Sequence, residues 1–138
     1  MVAITMIYEG DLHCRVQHGP SSATLATDAP KDNHGLGESF SPTDLVASAL
    51  GSCILTIMAI AANRLGIALE GTTAQVEKTM VNAPTRRIGQ LEVRINIPHS
   101  IDPEAQTKLE RAAKACPVHK SLHPDVKVPM EFVWGNAS

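Results

Sequence analysis

The chain has 138 residues, of which 43% are hydrophobic and 3% aromatic, and its formal net charge is -2 at pH 7. This length suits one ordinary domain and is sufficient to bury a core. The charge and the scarcity of aromatic residues exclude the basic field and the stacking surfaces that nucleic-acid-binding proteins use. We expect a single domain over residues 1–138.

The start of the chain and its cysteines predict a cytoplasmic protein. MVAITMIYEG, residues 1–10, lacks the cationic start and the small-residue cleavage site of a secretory signal. Three cysteines, Cys14, Cys53 and Cys116, are an awkward number for a disulfide framework. A bond among them would therefore be transient and chemical rather than structural.

The first part of the chain predicts strands, because its apolar residues recur with a period of two. ITMIYEGDLHCRVQHG (4–19) indicates two strands broken near residues 9–11, and SATLAT (22–27) indicates a third. Cys14 shares the apolar face of the second strand, opposite Arg15, and is most simply a packed residue. The polar segment APKDNHGLGESF (29–40) predicts a loop.

A long helix is predicted from about residue 42 to about residue 65. Ser41 can cap it, Pro42 suits its first position, and Asp44 can bond back to the cap, while Gly66 can close it. LVASALGSCILTIMAIAAN (45–63) approaches the length of a membrane span, but it contains several polar residues and no aromatic belt. We interpret it as a core helix that needs cover on several sides, part of it supplied by a second copy of the chain.

The remaining sequence predicts a hairpin, a second helix and a closing strand. TTAQVEKTMV (72–81) and IGQLEVRINI (88–97) alternate in polarity, and the second helix opens at Asp102 and Pro103. VKVPMEFVW (126–134) indicates the last strand, in which Pro129 suits an edge. Strands and helices in this order predict an α+β fold.

Cys116 stands directly before Pro117 in ACPVHKSLHP (115–124), and three interpretations of it stay open. Pro117 should end the second helix and open a short one, whose N–H groups, with His119 and Lys120 nearby, would lower the pKa of the Cys116 thiol and make it a redox thiol. The spacing of Cys116, His119 and His123 also fits a metal clip, although no CxxC or HxxxH elsewhere completes four ligands. The third interpretation is a small buried residue at a helix junction.

Cys53 lies among uncharged residues in the middle of the long helix and, taken alone, indicates a core residue. Taken with Cys116, it has a second interpretation. One thiol on the central helix and one where the second helix ends against it can meet in space and exchange electrons as a dithiol and a disulfide.

The segments FSPTDLVASALGSCILTIMAIAANRLGI (40–67) and ACPVHKSL (115–122) resemble the OsmC/Ohr family of small bacterial stress proteins. The hallmarks are a proline-led helix that carries one cysteine and a later Cys-Pro-Val segment that carries the second. The resemblance covers the order of elements over nearly the whole chain. It implies an OsmC-like fold, with curved antiparallel sheets around a long buried central helix, in an intertwined homodimer with its sites near the subunit interface.

The same resemblance implies thiol-dependent reduction of organic hydroperoxides, with Cys53 and Cys116 as the catalytic residues. The Cys53 thiolate would attack the peroxide bond and become a sulfenic acid, which Cys116 would resolve to a disulfide. A dithiol reductant, in this family often a lipoyl-bearing protein, would then restore both thiols. We expect no cofactor, no metal, and neither nucleic acid nor membrane as a partner.

Two features depart from the family's pattern. Peroxidase members commonly carry a glutamate directly after the helix-opening proline, where it holds an activating arginine, and this chain has Thr43 there. The activating arginine is not evident, because Arg15 lies opposite the apolar strand face and Arg86 and Arg87 lie in a hairpin loop. These departures favour an alternative function, an OsmC-like dimer that binds a small apolar or thiol-reactive ligand with little peroxidase turnover.

Overall fold

The computed structural model describes residues 1–135, in two compact units, of which the first is Met1–Val46 and the second begins at Ala47. The elements are β1 (Ile4–Gly10), β2 (His13–His18), β3 (Thr24–Asp28), a short 3₁₀ turn (Lys31–Asn33), α1 (Pro42–Arg64), β4 (Thr73–Val81), β5 (Arg87–Ile97), α2 (Pro103–Lys114), α3 (Pro117–Ser121) and β6 (Met130–Trp134). This order confirms the predicted α+β class. The single domain over residues 1–138 stays a prediction.

The first unit contains an antiparallel sheet with the strand order β1-β2-β3. Cys14 lies in the middle strand, opposite Tyr8 of β1 and Thr27 of β3, and is half-buried, while its neighbour Arg15 is exposed. This agrees with the interpretation of Cys14 as a packed residue. The predicted loop at 29–40 also holds, except for the 3₁₀ turn within it.

The start of α1 is fixed by the predicted reciprocal cap. The Asp44 backbone N–H donates to the Ser41 hydroxyl over 3.1 Å, and the Ser41 backbone N–H donates to the Asp44 carboxylate over 2.9 Å. These two bonds satisfy backbone donors that the first turn of a helix otherwise leaves unpaired. At the other end, Gly66 has a φ of 70°, a left-handed conformation that suits glycine after a helix.

The second unit contains a sheet with the strand order β4-β5-β6. Alternate residues of β5 are completely buried while those between them are exposed, as their pattern predicts; the buried ones are Leu91, Val93, Ile95 and Ile97. β6 pairs with β5 in parallel, so the expectation of antiparallel sheets holds for β4 and β5 but is wrong for this pair. The reason is the connection, because α2 and α3 carry the chain back to the starting end of β5, which a parallel pair requires.

The closing strand is shorter than predicted. Met130–Trp134 forms β6, whereas residues 126–129 contribute only an isolated bridge between Lys127 and Gln90 and a few backbone hydrogen bonds to β5. Pro129 lies just before the strand, where its missing N–H costs no ladder bond. Trp134 donates its indole N–H to the Glu110 carboxylate of α2 over 2.9 Å, which ties α2 to this edge of the sheet.

One face of α1 is buried and another is exposed. Leu50, Ile54 and Met58 are completely buried, whereas Ser52, Thr56 and Ile60 are exposed. Only 33% of the most apolar 18-residue window of the helix is buried. A face is therefore left uncovered, as expected if a second copy supplies part of the cover, and the intertwined homodimer stays a prediction.

Among the described residues, α1 alone is long and apolar enough to cross a membrane, with a mean hydropathy of 2.2 in that window. One such helix is weak evidence for a membrane protein, because the core helix of a soluble protein meets the same criteria. The completely buried Leu50, Ile54 and Met58 favour the core helix.

Gly51 is a point of close approach between α1 and β4. A Cβ added there would lie 3.1 Å from the Val76 Cγ2 atom and 3.9 Å from the Ala74 Cβ atom. The first distance leaves no room for a larger side chain unless the helix moves away from the sheet. The small residue therefore sets the depth at which α1 lies on the second sheet.

We predict that Gly51→Leu lowers the free energy of unfolding by about 1–3 kcal/mol, because it overpacks this contact. Val76→Ala in the same chain should relieve the overlap, so the double variant should lose less than the sum of the two single losses. Urea unfolding of the parent, both single variants and the double variant measures this coupling. Strictly additive losses would contradict the close approach.

Candidate functional site

Cys116 lies at the junction of α2 and α3, as the Cys-Pro pair predicts. It is the N-cap of α3, and its Sγ atom accepts the backbone N–H of His119 over 3.5 Å. The side chain is completely buried, at the end of the stripe of α2 that faces the core, which consists of Ala105, Leu109 and Ala113. Local sequence therefore placed Cys116 correctly on the helix junction.

Cys53 lies near the middle of α1, at the border between the buried and the exposed faces of the helix. It is half-buried. Its helical neighbours Ala49, Thr56 and Ile60 are exposed. One side of the Cys53 thiol thus borders the uncovered face of α1.

The structure brings the two predicted cysteines together. The thiol of Cys53 is within hydrogen-bonding reach of the thiol of Cys116, and no disulfide joins them. This proximity was open at the level of sequence, because the two residues belong to different helices. The catalytic role of each one stays a prediction.

The Cys116 thiol does not ionise as readily as its position at a helix start predicts. Burial raises the pKa of Cys116 above the ordinary value of 9.0, and the hydrogen bond and the charge of Cys53 raise it further. The backbone N–H groups of His119 and Val118 lower it, but they do not compensate. The predicted lowering is therefore wrong, because desolvation of a completely buried thiol outweighs two N–H dipoles.

The histidines near Cys116 do not face it in a metal-binding arrangement. The imidazole of His119 lies with Nδ1 3.3 Å from the Lys114 carbonyl oxygen. His123 contacts Asp125, whose backbone N–H donates to its Nδ1 atom over 3.0 Å. Within residues 1–135, no group of three or more histidine, cysteine or acidic side chains is placed to hold a metal ion.

Two arginines considered as activators of the thiolate, and the threonine at the position of the family's glutamate, have other contacts. Arg15 donates to the Glu9 carboxylate over 2.7 Å in the first unit. Arg87 donates to the backbone carbonyl of its neighbour Ile88 over 3.3 Å. The Thr43 hydroxyl lies 3.2 Å from the Ser41 hydroxyl in the first turn of α1.

The family of the chain follows from its sequence. Residues 35–131 match the model of the family described as OsmC-like protein. The chain belongs to this family. No protein with curated annotation matches it.

Solved structures of the OsmC-like family share the fold over almost the whole chain. A protein from Psychrobacter arcticus 273-4, described as a candidate osmotic stress induced and detoxification response protein, is 41% identical, with 96% of each chain covered and a TM-score of 0.90. The organic hydroperoxide resistance protein OsmC of Legionella pneumophila is 18% identical, with 96% of each chain covered and a TM-score of 0.79. OhrB of Bacillus subtilis, an organic hydroperoxide resistance protein, is 19% identical, with 96% of this chain and 97% of its own covered and a TM-score of 0.69. At 18% and 19% identity, the last two show the fold alone.

We predict that mild oxidation of the reduced protein with diamide joins Cys53 to Cys116 and leaves Cys14 as a free thiol. The first two thiols are already in contact, and a disulfide forms where two sulfurs approach without large movements of the backbone. Peptide mapping by mass spectrometry after alkylation identifies the linked pair. A disulfide between Cys14 and another cysteine of the same chain would contradict the observed contact of Cys53 with Cys116.

A second prediction concerns stability at alkaline pH. Because the pKa of Cys116 is raised in the folded protein, the unfolded chain releases this thiol proton first, and the folded state loses stability as the pH rises above 9.0. Below that pH both states keep the proton, and the contribution is complete. Urea unfolding of reduced protein at about pH 8 and about pH 10 should show a smaller alkaline loss in Cys116→Ala than in the parent. Equal losses in both proteins would contradict the raised pKa.

Proposed function

We propose that this protein reduces organic hydroperoxides, with Cys53 as the attacking thiol and Cys116 as the resolving thiol. The observation that carries the proposal is the contact of a half-buried thiol with a completely buried one. The OsmC and OhrB relatives, described as organic hydroperoxide resistance proteins, support the choice of substrate.

The exposure of the two sulfurs supports this division of roles. The half-buried Cys53 is the more accessible of the two residues, whereas Cys116 is completely buried. The location of the Cys116 proton also favours this division of roles. The hydrogen bond that raises the pKa of Cys116 is one in which Cys116 keeps its proton and donates to Cys53. A Cys116 thiol that keeps its proton suits the second step, in which that proton leaves with water.

The chemistry then proceeds in two steps. The Cys53 thiolate attacks the terminal peroxide oxygen, the O–O bond breaks, and Cys53 becomes a sulfenic acid, while the departing alkoxide takes a proton from water and becomes an alcohol. The Cys116 sulfur then attacks the Cys53 sulfur, the S–O bond breaks, and water leaves with the Cys116 proton as the disulfide forms. Cys53 loses two electrons to the peroxide, and the disulfide is therefore two electrons more oxidised than the two thiols.

A dithiol reductant, such as a lipoyl-bearing protein, completes the cycle by thiol–disulfide exchange and is itself oxidised to a disulfide. We place the reaction in the cytoplasm, where thiols are kept reduced, and in a homodimer, as stress defence against organic hydroperoxides. The uncovered face of α1, on which Ile60 is 45% exposed, supports the homodimer.

The alternative function is the binding of a small apolar or thiol-reactive ligand with little peroxidase turnover. Two contacts favour it. Thr43 occupies the position of the family's glutamate and contacts Ser41, and Arg15 is paired with Glu9. In this case the two thiols would be a binding site rather than a catalytic pair.

We predict that Cys53→Ser consumes cumene hydroperoxide at the uncatalysed rate, because a hydroxyl does not replace the thiolate as a nucleophile. Cys116→Ser should complete one turnover at the parent rate and then accumulate sulfenic acid on Cys53. Stopped-flow measurement of thiol loss and trapping of the sulfenic acid with dimedone follow the two steps.

Cys14→Ser is the matched control, since it removes a thiol outside the pair and should keep the parent rate. Slow consumption of peroxide by the reduced parent, with tight binding of a thiol-reactive ligand at Cys53, would decide for the alternative. Consumption by Cys53→Ser at the parent rate would show that the attacking residue is wrong.

A further inference from the structure

His119 contacts both Cys116 and Lys114, the residue two positions before it. Its backbone N–H donates to the Cys116 sulfur over 3.5 Å, and its imidazole Nδ1 lies 3.3 Å from the Lys114 carbonyl oxygen. Lys114 is the last residue of α2, and His119 lies in the first turn of α3. The two contacts therefore close a ring of chain that contains Cys116.

The contact with Lys114 satisfies a specific need of the helix junction. The last four carbonyl groups of a helix lack partners within the helix, and Lys114 carries one of them. Pro117 has no N–H group to offer, so α3 cannot supply a backbone donor from its first residue. A carbonyl oxygen only accepts, so the imidazole must carry a proton on Nδ1 and donate it.

We propose that His119 is a positioning residue, which holds the Cys116 sulfur where it can bond to Cys53. The benefit of this role to catalysis rests on the proposed function, but the role itself concerns disulfide formation by any oxidant. A disulfide tolerates only a narrow range of Cα separations and dihedral angles, so the direction of the Cys116 side chain matters. That direction depends on how α3 departs from α2, and the imidazole of His119 joins these two helices.

The other hydrogen bonds at the junction restrain the Cys116 side chain less directly. Sulfur is a weak acceptor, so the cap bond to the Cys116 sulfur restrains the side chain only weakly. The backbone bond from Lys120 N–H to the Cys116 carbonyl, at 3.0 Å, orders the turn within α3 but does not reach α2. The bond from Cys116 N–H to the Ala113 carbonyl, at 3.3 Å, reaches α2 but precedes the cysteine side chain.

The test measures how readily the pair closes, expressed as the effective concentration of the two thiols in a glutathione redox buffer. His119→Ala should lower this value by about fivefold, the factor that one hydrogen bond of ordinary net strength is worth. His119→Asn should restore it, because the asparagine amide N–H replaces the Nδ1–H donor. His123→Ala is the matched control, since it removes a nearby imidazole that contacts Asp125 instead, and it should keep the parent value.

A second readout separates positioning from a general loss of structure. With cumene hydroperoxide, His119→Ala should form sulfenic acid on Cys53 at the parent rate and convert it to the disulfide about fivefold more slowly. An unchanged effective concentration in His119→Ala, or an equal loss in His119→Asn, would overturn the proposal. If the parent did not react with peroxide, the proposed function would fail, and the glutathione measurement would still decide the role of His119.

Discussion

The contact between the thiols of Cys53 and Cys116 is the interaction on which the rest of the site depends. The two residues come from separate helices, so the contact exists only because one sheet holds both helices in place. Gly51 allows α1 to lie close to Val76 of β4, and Trp134 of β6 bonds to Glu110 of α2. The site is therefore a product of how α1 and α2 pack on the second sheet rather than of any single segment.

Burial, more than helix geometry, distinguishes the two sulfurs. At the start of α3 the N–H groups of Val118 and His119 point at Cys116, which in water would favour its thiolate. The sulfur is completely buried, and the cost of desolvating a negative charge is larger than this gain. The proton consequently stays on Cys116, which makes it a donor toward Cys53, in agreement with the resolving role that we propose for it.

Local signals in the sequence predicted most of the fold, because helix caps and strand alternation depend only on residues that are close together in the chain. Ser41, Pro42 and Asp44 mark the start of α1, and the alternation from Leu91 to Ile97 marks β5. The parallel direction of β6 could not be predicted in this way, since an alternating strand has the same pattern in either direction. It follows instead from the path of α2 and α3.

The candidate site was predictable only in part. The Cys-Pro pair identified the helix junction, and the family resemblance paired Cys116 with Cys53. The raised pKa of Cys116 was missed because complete burial is a tertiary property that its polar neighbours His119 and Lys120 conceal. The bond of His119 to Lys114 was also missed, although a histidine five residues after a helix end, beyond a proline, is a signal that could be searched for.

The uncovered face of α1 bears on the choice of substrate. The hydroxyls of Ser52 and Thr56 donate to backbone carbonyls one turn earlier in their own helix, so this face needs no water to satisfy them. A second helix packed there, as in the proposed homodimer, would exclude water from the side of Cys53 that borders Ala49 and Ile60. A thiol in such surroundings would meet apolar hydroperoxides more readily than hydrogen peroxide, because the apolar part of the substrate would gain from leaving water.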